Sequence, residues 1–288
     1  MTFGEEPVDE TWQTAQERKN LVVGFLSNEL SESSIKRHQT KVDLLHKRAF
    51  YIEIFPYLLP VGDQNHLLMP ISVLQHIDPL RFRRVKELGN SQAKILLILL
   101  TEYLEQLQKG RSFLLEVMKS YDVNSYLSKW EEVTEKLTEL TSLLDSFLSL
   151  QTPCRLHVKH LLVPHYGPTK IPSVQVILKS KAPVVFDRFE SVAYENWAFL
   201  KWHALTKQST AEKYELRFKL LEKRTQQERA HTALISVTTN FFEIHQLLPD
   251  RFYEFSVHWA KTPTLVYEAW HDSITLRTSV SHKTTRRE

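Results

Sequence analysis

The chain has 288 residues, of which 42% are hydrophobic and 25% charged, and its formal net charge is +3. This length allows two domains, and the composition is that of a folded protein and excludes a largely disordered chain. Six dispersed glycines exclude the glycine-rich loops that hold nucleotide phosphates, and a single cysteine, Cys154, excludes an internal disulfide and a zinc site built from cysteines.

The N-terminal segment, residues 1–10, is predicted to be flexible. It is acidic and lacks the apolar core of a signal peptide. The longest apolar run of the chain, Ile95 to Leu100, is much shorter than the ~20 residues that span a bilayer. We therefore expect an intracellular, cytoplasmic protein without a membrane partner. The small net charge argues against nucleic acid as a partner.

Residues 11–152 have the periodicity and composition of helices and predict an antiparallel helical bundle. A first helix is followed by a second, which has Ser31 or Ser33 as its N-cap and runs to Phe55. Pro56 is expected to end this second helix, because proline has no amide donor and its ring clashes with the preceding turn.

A long central helix is predicted next. A short helical stretch around residues 70–88 precedes it, and Asn90 or Ser91 is expected to cap a helix that runs from Gln92 to Met118. Because Ile95 to Leu100 are six consecutive apolar residues, we expect this helix to be buried on most sides.

The last helix is predicted to begin at Asp122 or Asn124. Its apolar residues recur at steps of three and four: Leu127, Trp130, Val133, Leu137, Leu140, Leu144 and Phe147. Such a seam is typical of a helical bundle core, and the alternative is a docking seam for a helix of a partner protein.

A basic segment near the start of the long helix is the candidate binding surface. Its cationic side chains are those of Arg81, Arg83, Arg84 and Lys86. Together with an aromatic residue between them, they could face RNA or the acidic surface of tubulin. The alternative is a solvated helix face, with Phe82 and Val85 turned inward.

Residues 153–169 are predicted to be a linker or a first strand, and beyond them the hydrophobic period changes to two. Apolar and polar residues alternate in three stretches of the chain, at 214–220, 253–259 and 274–277. Residues 170–280 therefore predict an antiparallel β-sandwich. The basic tail, residues 281–288, is predicted to be disordered.

The order of residues in this second half resembles a known domain. The stretches concerned are Leu200-Lys201-Trp202, Tyr214 to Phe218, Phe242 to Pro249, Tyr253 to Val257 and Ser273 to Thr278. In this order they resemble the fibronectin type III domain, which is an immunoglobulin-like β-sandwich. The fold class expected for the whole chain is thus α+β, with a helical bundle followed by this sandwich.

The resemblance implies structural roles for five residues. Trp202 matches the core tryptophan of strand B, and Tyr214 matches the tyrosine of strand C. Leu247, Pro249 and Tyr253 match the corner between strands E and F, in which a tyrosine hydroxyl bonds to nearby backbone while its ring packs inside.

Two features depart from the fibronectin type III pattern. Asp250 stands where the family usually has a glycine after the corner proline, and the stretch before Trp202 is longer than usual. Two segments remain as candidates for the first strand of the sandwich, Leu156 to Val163 and Ser173 to Leu178.

The whole chain also resembles one vertebrate family, that of fibronectin type III domain-containing protein 11. The stretches that carry this resemblance are Gly62 to Asn65, Arg155 to His160, Pro183 to Arg188, Tyr214 to Leu221 and Thr264 to Glu268. It implies a helical domain of unknown function joined to one fibronectin type III domain, with no known catalytic residue and no cofactor. It also implies expression in testis and ciliated tissue.

No pattern in the chain predicts an enzyme or a metal site. The chain has thirteen histidines, but His157 and His160 stand in an extended segment, where this spacing points their side chains to opposite faces. The sequence therefore predicts a non-enzymatic adaptor that binds proteins, with axonemal or cytoskeletal proteins as candidates. The loops Lys207 to Lys213 and Lys261 to Tyr267 are its first candidate contacts. The alternative is direct binding of microtubules or RNA through the basic segment Arg81 to Lys86.

Overall fold

The structure is a computed structural model that describes residues 8–56, 77–119, 122–151, 156–159, 162, 174–205, 213–225, 228 and 232–280. The chain forms two compact units. The first comprises Met1–Asp43 and Lys94–Arg155, and the second comprises Leu44–Ala93 and Leu156–Glu288. Each unit is therefore assembled from two separate parts of the sequence.

The helices of the described residues are α1 (Val8–Asn28), α2 (Glu32–His46), α3 (Pro79–Met118), α4 (Val123–Ser128) and α5 (Trp130–Gln151). Polar side chains cap two of them. The Ser34 amide donates to Ser31 Oγ at 3.2 Å, which places the N-cap of α2 at Ser31. The Asp122 carboxylate accepts from the amides of Asn124 and Ser125 and caps α4. None of the helices in the described part of the chain is long and apolar enough to cross a membrane.

Helix α3 runs without a break through the predicted capping site at Asn90 and Ser91. Gly89, which precedes this site, is buried inside the helix. A Cβ atom placed there would lie 3.4 Å from Val266 Cγ1 and 3.6 Å from Leu178 Cδ1. These are ordinary contact distances, so Gly89 lies within the continuous helix with room for a methyl group, and the predicted boundary is wrong.

The predicted burial of α3 on most sides is also wrong. Leu96, Leu97 and Leu100 are buried, but Ile95 and Ile98 are 54% and 65% exposed. Since successive residues of a helix point about 100° apart, six apolar residues in a row cover every side, and only one side packs here.

The seam of α5 packs inside the first unit. Leu140 lies against Gly110 of α3, where an added Cβ would overlap Leu140 Cδ2 and lie 2.9 Å from its Cδ1. The Phe147 ring meets the ring of His38 edge-on, with centroids 5.1 Å apart. Burial lowers the pKa of His38, and the charges of Arg37 and Lys41 act in the same direction. The seam therefore forms part of the core of the helical unit.

The strands of the described residues are β1 (Ala49–Pro56), β2 (Leu156–Lys159), β3 (Val174–Lys181), β4 (Val184–Phe186), β5 (Val192–Ala193), β6 (Trp197–Ala204), β7 (Tyr214–Leu220), β8 (Thr232–Val237), β9 (Phe241–His245), β10 (Phe252–Trp259), β11 (Leu265–Tyr267) and β12 (Asp272–Arg277). Three sheets result. Their orders are β11-β1-β3-β2, β12-β10-β7-β8 and β4-β6-β5, and β9 pairs with β6 in the third.

Strand β1 corrects the prediction that the second helix reaches Phe55. It pairs antiparallel with both β3 and β11. Four consecutive residues, Ala49 to Ile52, are buried, because each face of the strand is covered. Tyr51 packs in the sandwich core and Ile52 packs with Val85 of α3. The apolar spacing of a doubly covered strand resembled that of a helix.

The two remaining sheets form the predicted β-sandwich, and the expected α+β fold class is confirmed. Neither segment proposed for its first strand is correct, since β2 and β3 belong to the sheet that contains β1. The first strand of the sandwich is β4, which pairs Val184 with Ala204 and Phe186 with Trp202 of β6.

The core of the sandwich contains four of the five residues named from the resemblance. Trp202 and Tyr253 are fully buried, Tyr214 and Leu247 are nearly so, and Pro249 is only half-buried. The Leu248 amide donates to Tyr253 Oη at 2.9 Å, which joins the corner before β10 to its core.

Asp250, which replaces the expected glycine of that corner, has a φ of 55°. This left-handed conformation explains why a glycine is usual there, because other residues pay a steric penalty and aspartate is among the better tolerated. The Asp250 carboxylate accepts from Nη2 of Arg277 at 2.6 Å and from Nη1 of Arg224 at 3.3 Å. These two ion pairs thus hold the Asp250 side chain at the position where the fibronectin type III pattern has glycine.

Candidate interaction surfaces

A groove lies within the second unit, between the first turns of α3 and the residues that lead into β11. We call it the α3 groove. Its volume is about 510 Å³. The residues that line it are Pro79, Phe82, Arg83, Lys86, Glu87, Asn90, Pro263, Leu265 and Val266. Apolar side chains and cations therefore meet in one concave site.

The start of α3 sets the direction of its basic side chains. Asp78 Oδ1 accepts from the amides of Leu80 and Arg81 at 2.8 and 3.1 Å and so fixes the first turn. Val85 is fully buried, and Phe82 packs beside it in the cluster that includes Ile52. Phe82 and Val85 thus pack inward, as expected if the basic segment is a solvated helix face.

The basic side chains of this helix start are only partly matched by carboxylates. Arg81 Nε lies 3.8 Å from Asp78 Oδ2, and Arg83 Nε lies 3.2 Å from Glu87 Oε1 in a largely exposed pair. In the described parts of the chain, neither Arg84 nor Lys86 forms an ion pair. Of these side chains, Arg83 and Lys86 line the α3 groove together with Glu87, so the lining carries a net positive charge.

The α3 groove brings together two features that the sequence presented as unrelated, the basic segment and the loop Lys261 to Tyr267. Part of that loop is β11, whose backbone pairs with β1, and its residues Pro263, Leu265 and Val266 line the groove with their side chains. Of the other candidate loop, Lys207 to Lys213, all but the last residue lies outside the described residues.

A second surface lies on the outer side of the sandwich, across β5, β6 and β9. We call it the aromatic face, and it consists of Tyr194, Trp197, Phe199, Phe241, Glu243 and His245. Strand β6 pairs Trp197 with His245 and Phe199 with Glu243 of β9. The rings of Tyr194 and Trp197 are stacked, with centroids 4.0 Å apart and planes 10° apart.

The stacking continues across the aromatic face. Trp197 and His245 have centroids 5.8 Å apart, and Phe199 and Phe241 have centroids 6.1 Å apart. Tyr194 and Phe241 are 43% and 47% exposed. Sequence reasoning missed this surface, although one signal was present. In β6, aromatic residues at 197 and 199 alternate with the core residues 198, 200 and 202, so both faces of the strand are apolar.

A third group of side chains is ionisable and lies beside β1. Burial raises the pKa of Glu268 to about 7, where the charge of Lys261 opposes this shift and that of Glu215 adds to it. Burial also raises the pKa of Tyr51. In the described part of the molecule, Tyr51 Oη and Glu215 Oε2 are buried without a hydrogen-bond partner.

This ionisable group offers little room for a substrate. The cavity that Glu268 and His258 line has a volume of about 10 Å³, which is about the space of one water molecule. Within the described residues, no three His, Cys, Asp or Glu side chains are placed to hold a metal ion. His160, Cys154 and the tail from residue 281 lie outside those residues, as do the side chains of 156–159.

Two family models match the chain. The N-terminal domain of a family of unknown function (DUF5581) matches residues 8–176, and the Fn3-like domain of that family matches residues 181–285. A Bos taurus relative, fibronectin type III domain-containing protein 11, is 46% identical over 269 residues, which are 93% of this chain and 81% of the relative. The Homo sapiens protein of the same name is 45% identical over 269 residues, or 93% of this chain and 85% of its own length.

The chain is also similar to solved structures. The fn3 domain of human collagen alpha-1(XX) chain has a TM-score of 0.27 and 18% identity, and the match covers 36% of this chain and 94% of that domain. The fibronectin type-III domain of human fibronectin type III domain containing protein 3 has a TM-score of 0.26 and 13% identity. This match covers 37% of this chain and 94% of that domain.

Proposed function

We propose that this chain, which belongs to the fibronectin type III domain-containing protein 11 family, is a non-enzymatic adaptor that binds an acidic segment of another protein in the α3 groove. The observation that carries the proposal is the pair of cationic side chains, Arg83 and Lys86, that line the groove beside apolar residues. A location in cilia or sperm flagella, with an axonemal or cytoskeletal partner, is the part of the proposal that rests on family resemblance alone.

The chemistry of the α3 groove fits such a segment. The groove has a volume of about 510 Å³ and is largely open to solvent, so a peptide segment could enter it from the surface. Phe82, Leu265 and Val266 would contact apolar side chains of the segment, and the cations of the lining would pair with its carboxylates. Charge complementarity of this kind speeds association and selects partners.

The ionisable group beside β1 supports a non-enzymatic role. General acid–base catalysis needs a carboxyl group within hydrogen-bond reach of a bound substrate. Glu268 has the raised pKa that such a group would need, but the cavity beside it holds about one water. Its pKa therefore reflects burial at a packed junction between strands.

The test uses the full chain and a fluorescent peptide in which leucine is flanked by glutamates. We expect Arg83→Glu combined with Lys86→Glu to weaken binding by about tenfold or more, which corresponds to about 1.4 kcal/mol. The matched control is Arg217→Glu with Lys219→Glu, a charge reversal of two exposed residues on the sandwich. A peptide with serine in place of leucine tests the apolar lining. Equal affinities of wild type and the Arg83/Lys86 variant would overturn the proposal.

Direct binding of microtubules is the second candidate, and the cations of Arg84 and Lys86 favour it because tubulin presents an acidic surface. RNA is less favoured, since single-stranded RNA stacks on exposed aromatic rings and the Phe82 ring is only partly exposed. A polymer binder would depend on charge alone. Loss of microtubule cosedimentation on charge reversal of Arg83 and Arg84, together with a peptide affinity that does not depend on the leucine, would favour this candidate.

A further inference from the structure

We propose that the aromatic face binds an arginine side chain, presented by an extended segment of a protein partner, between the carboxylate of Glu243 and the exposed rings around it. This surface is separate from the α3 groove in its residues and opposite in the charge that it selects. Two separate surfaces would allow one chain to bind two partners at once.

The charges on the aromatic face point to a cation. Glu243 and His245 point to the same side of β9, and Glu243 Oε2 lies 3.3 Å from His245 Nε2. The neighbouring cation, Lys201, is already matched, because its Nζ donates to both carboxylate oxygens of Glu190 at 2.7 and 2.6 Å. Glu243, which contacts His245 through one carboxylate oxygen, thus places a carboxylate among aromatic rings, and its side chain is 51% exposed.

The rings around Glu243 favour arginine over lysine. Phe199 stands directly opposite Glu243 in the strand pairing, and Phe241 stacks on Phe199. A cation that reaches the carboxylate must therefore lie over or beside an aromatic ring. Guanidinium is flat, stacks on such rings and forms paired hydrogen bonds with a carboxylate, whereas an ammonium group is a compact, strongly hydrated charge.

Elsewhere on the sandwich, an arginine of the chain itself contacts both an aromatic ring and a carboxylate. The Arg277 guanidinium lies over the Phe252 ring, 5.4 Å from its centroid, and its Nε and Nη2 donate to Asp250 Oδ1 at 3.1 and 2.6 Å. Phe252 and Asp250 therefore form a site that an arginine occupies. The aromatic face repeats its two components, with Phe199 and Glu243 in place of Phe252 and Asp250.

The test follows backbone amide resonances of the isotope-labelled full chain by NMR during titration with short acetylated peptides. The peptides have the sequence Ser-Val-Arg-Val-Ser, with lysine or citrulline in place of arginine as comparisons. We expect the arginine peptide to shift the resonances of Tyr194, Phe199 and Glu243 with a dissociation constant on the order of 1 mM. The citrulline peptide, which keeps the shape and lacks the charge, should shift none of them.

Variants separate the carboxylate from the rings. Glu243→Gln should weaken binding of the arginine peptide by about tenfold, and Phe241→Ser should weaken it by a similar factor. The matched controls are Glu222→Gln and Leu234→Ser, which change an exposed carboxylate and an exposed apolar residue elsewhere on the same unit. Neither control should alter the titration.

Three outcomes would overturn the inference. Equal affinity for the arginine and lysine peptides would indicate charge attraction without stacking. Shifts of the same resonances on dilution of the chain alone would indicate that a second copy covers the face. Absence of any shift at peptide concentrations of about 5 mM would indicate no site at all. Because Arg83 and Lys86 are unchanged in these variants, failure here leaves the proposal for the α3 groove untouched.

Discussion

Asp250 and Arg277 are joined by two hydrogen bonds, of 2.6 and 3.1 Å, at a position where the Asp250 backbone has a φ of 55°. The ion pair stabilises the folded chain at Asp250, whereas the left-handed backbone conformation of the same residue destabilises it. The Arg277 side chain stabilises the ionised carboxylate and holds the pKa of Asp250 below its ordinary value.

Substitution of Asp250 should separate these two effects. Asp250→Gly removes the ion pairs but relieves the backbone, whereas Asp250→Ala removes the ion pairs and keeps the unfavourable φ. We expect melting temperatures to fall in the order wild type, Asp250→Gly, Asp250→Ala, as measured by thermal unfolding of the full chain. An alanine variant as stable as the glycine variant would contradict the left-handed conformation.

Two glycines of α3 should respond oppositely to alanine. Gly110→Ala should destabilise the chain by about 1–3 kcal/mol, because the new methyl group would overlap the buried Leu140 side chain. Gly89→Ala meets its nearest neighbour at 3.4 Å and should be neutral or stabilising by up to about 1 kcal/mol, since alanine favours the helix. Urea unfolding measures both free energies. Similar destabilisation by the two variants would show that α3 is not packed as described.

Glu268 should make stability depend on pH. Its pKa rises from 4.5 to about 7 on folding, so the folded chain keeps a proton that the unfolded chain releases in this window. The stabilisation is present below the lower value and is lost as pH rises through the higher one. We expect Glu268→Gln to increase stability at about pH 8 by about 1 kcal/mol, a value reduced because solvent reaches this half-buried group.

The control for this pH effect is Glu222→Gln, which changes an exposed carboxylate. Unfolding in urea at about pH 5 and about pH 8 gives the comparison. If wild type and the Glu268 variant lose the same stability between these two values, Glu268 does not retain its proton on folding.

Trp202 and Tyr253 should contribute to the sandwich in different ways. Trp202 is fully buried, and Trp202→Ala should cost about 3–5 kcal/mol because it leaves a large cavity. Tyr253→Phe keeps the ring and removes only the acceptor of the Leu248 amide, which should cost about 1 kcal/mol. Phe189→Ser is the control, since Phe189 is 98% exposed. An unchanged melting temperature for Trp202→Ala would contradict the core assignment.

The sandwich was predictable because its strands bury one face each. Apolar and polar residues alternate along β7 and β10 in the sequence, and the corner at Leu247 to Tyr253 combines specific residue types at fixed spacing. Strand β1 was not predictable in this way. Both faces of β1 are covered, so its apolar residues do not alternate with polar ones. Ala49 and Ile52 therefore continue the helical spacing of Leu45, which belongs to α2.

The α3 groove could be predicted only in part. Its cations are visible in the sequence, but its apolar lining includes Leu265 and Val266, which reach α3 only because β11 pairs with β1. The aromatic face had a local signal in Trp197 and Phe199, and its carboxylate, Glu243, is supplied by another strand. Sequence periodicity reports which side of an element is apolar and does not report which distant segment lies beside it.

The position of β1 also has a consequence for biosynthesis. Phe50 of β1 pairs with Tyr267 of β11. During synthesis, β1 therefore emerges long before the strand with which it pairs. Pairing between such distant residues is slow, and the row of amides and carbonyls along β1 stays open to other chains in the meantime. A ribosome that releases the chain before residue 265 leaves this sheet without its edge strand, and we expect such products to require chaperones or to be degraded.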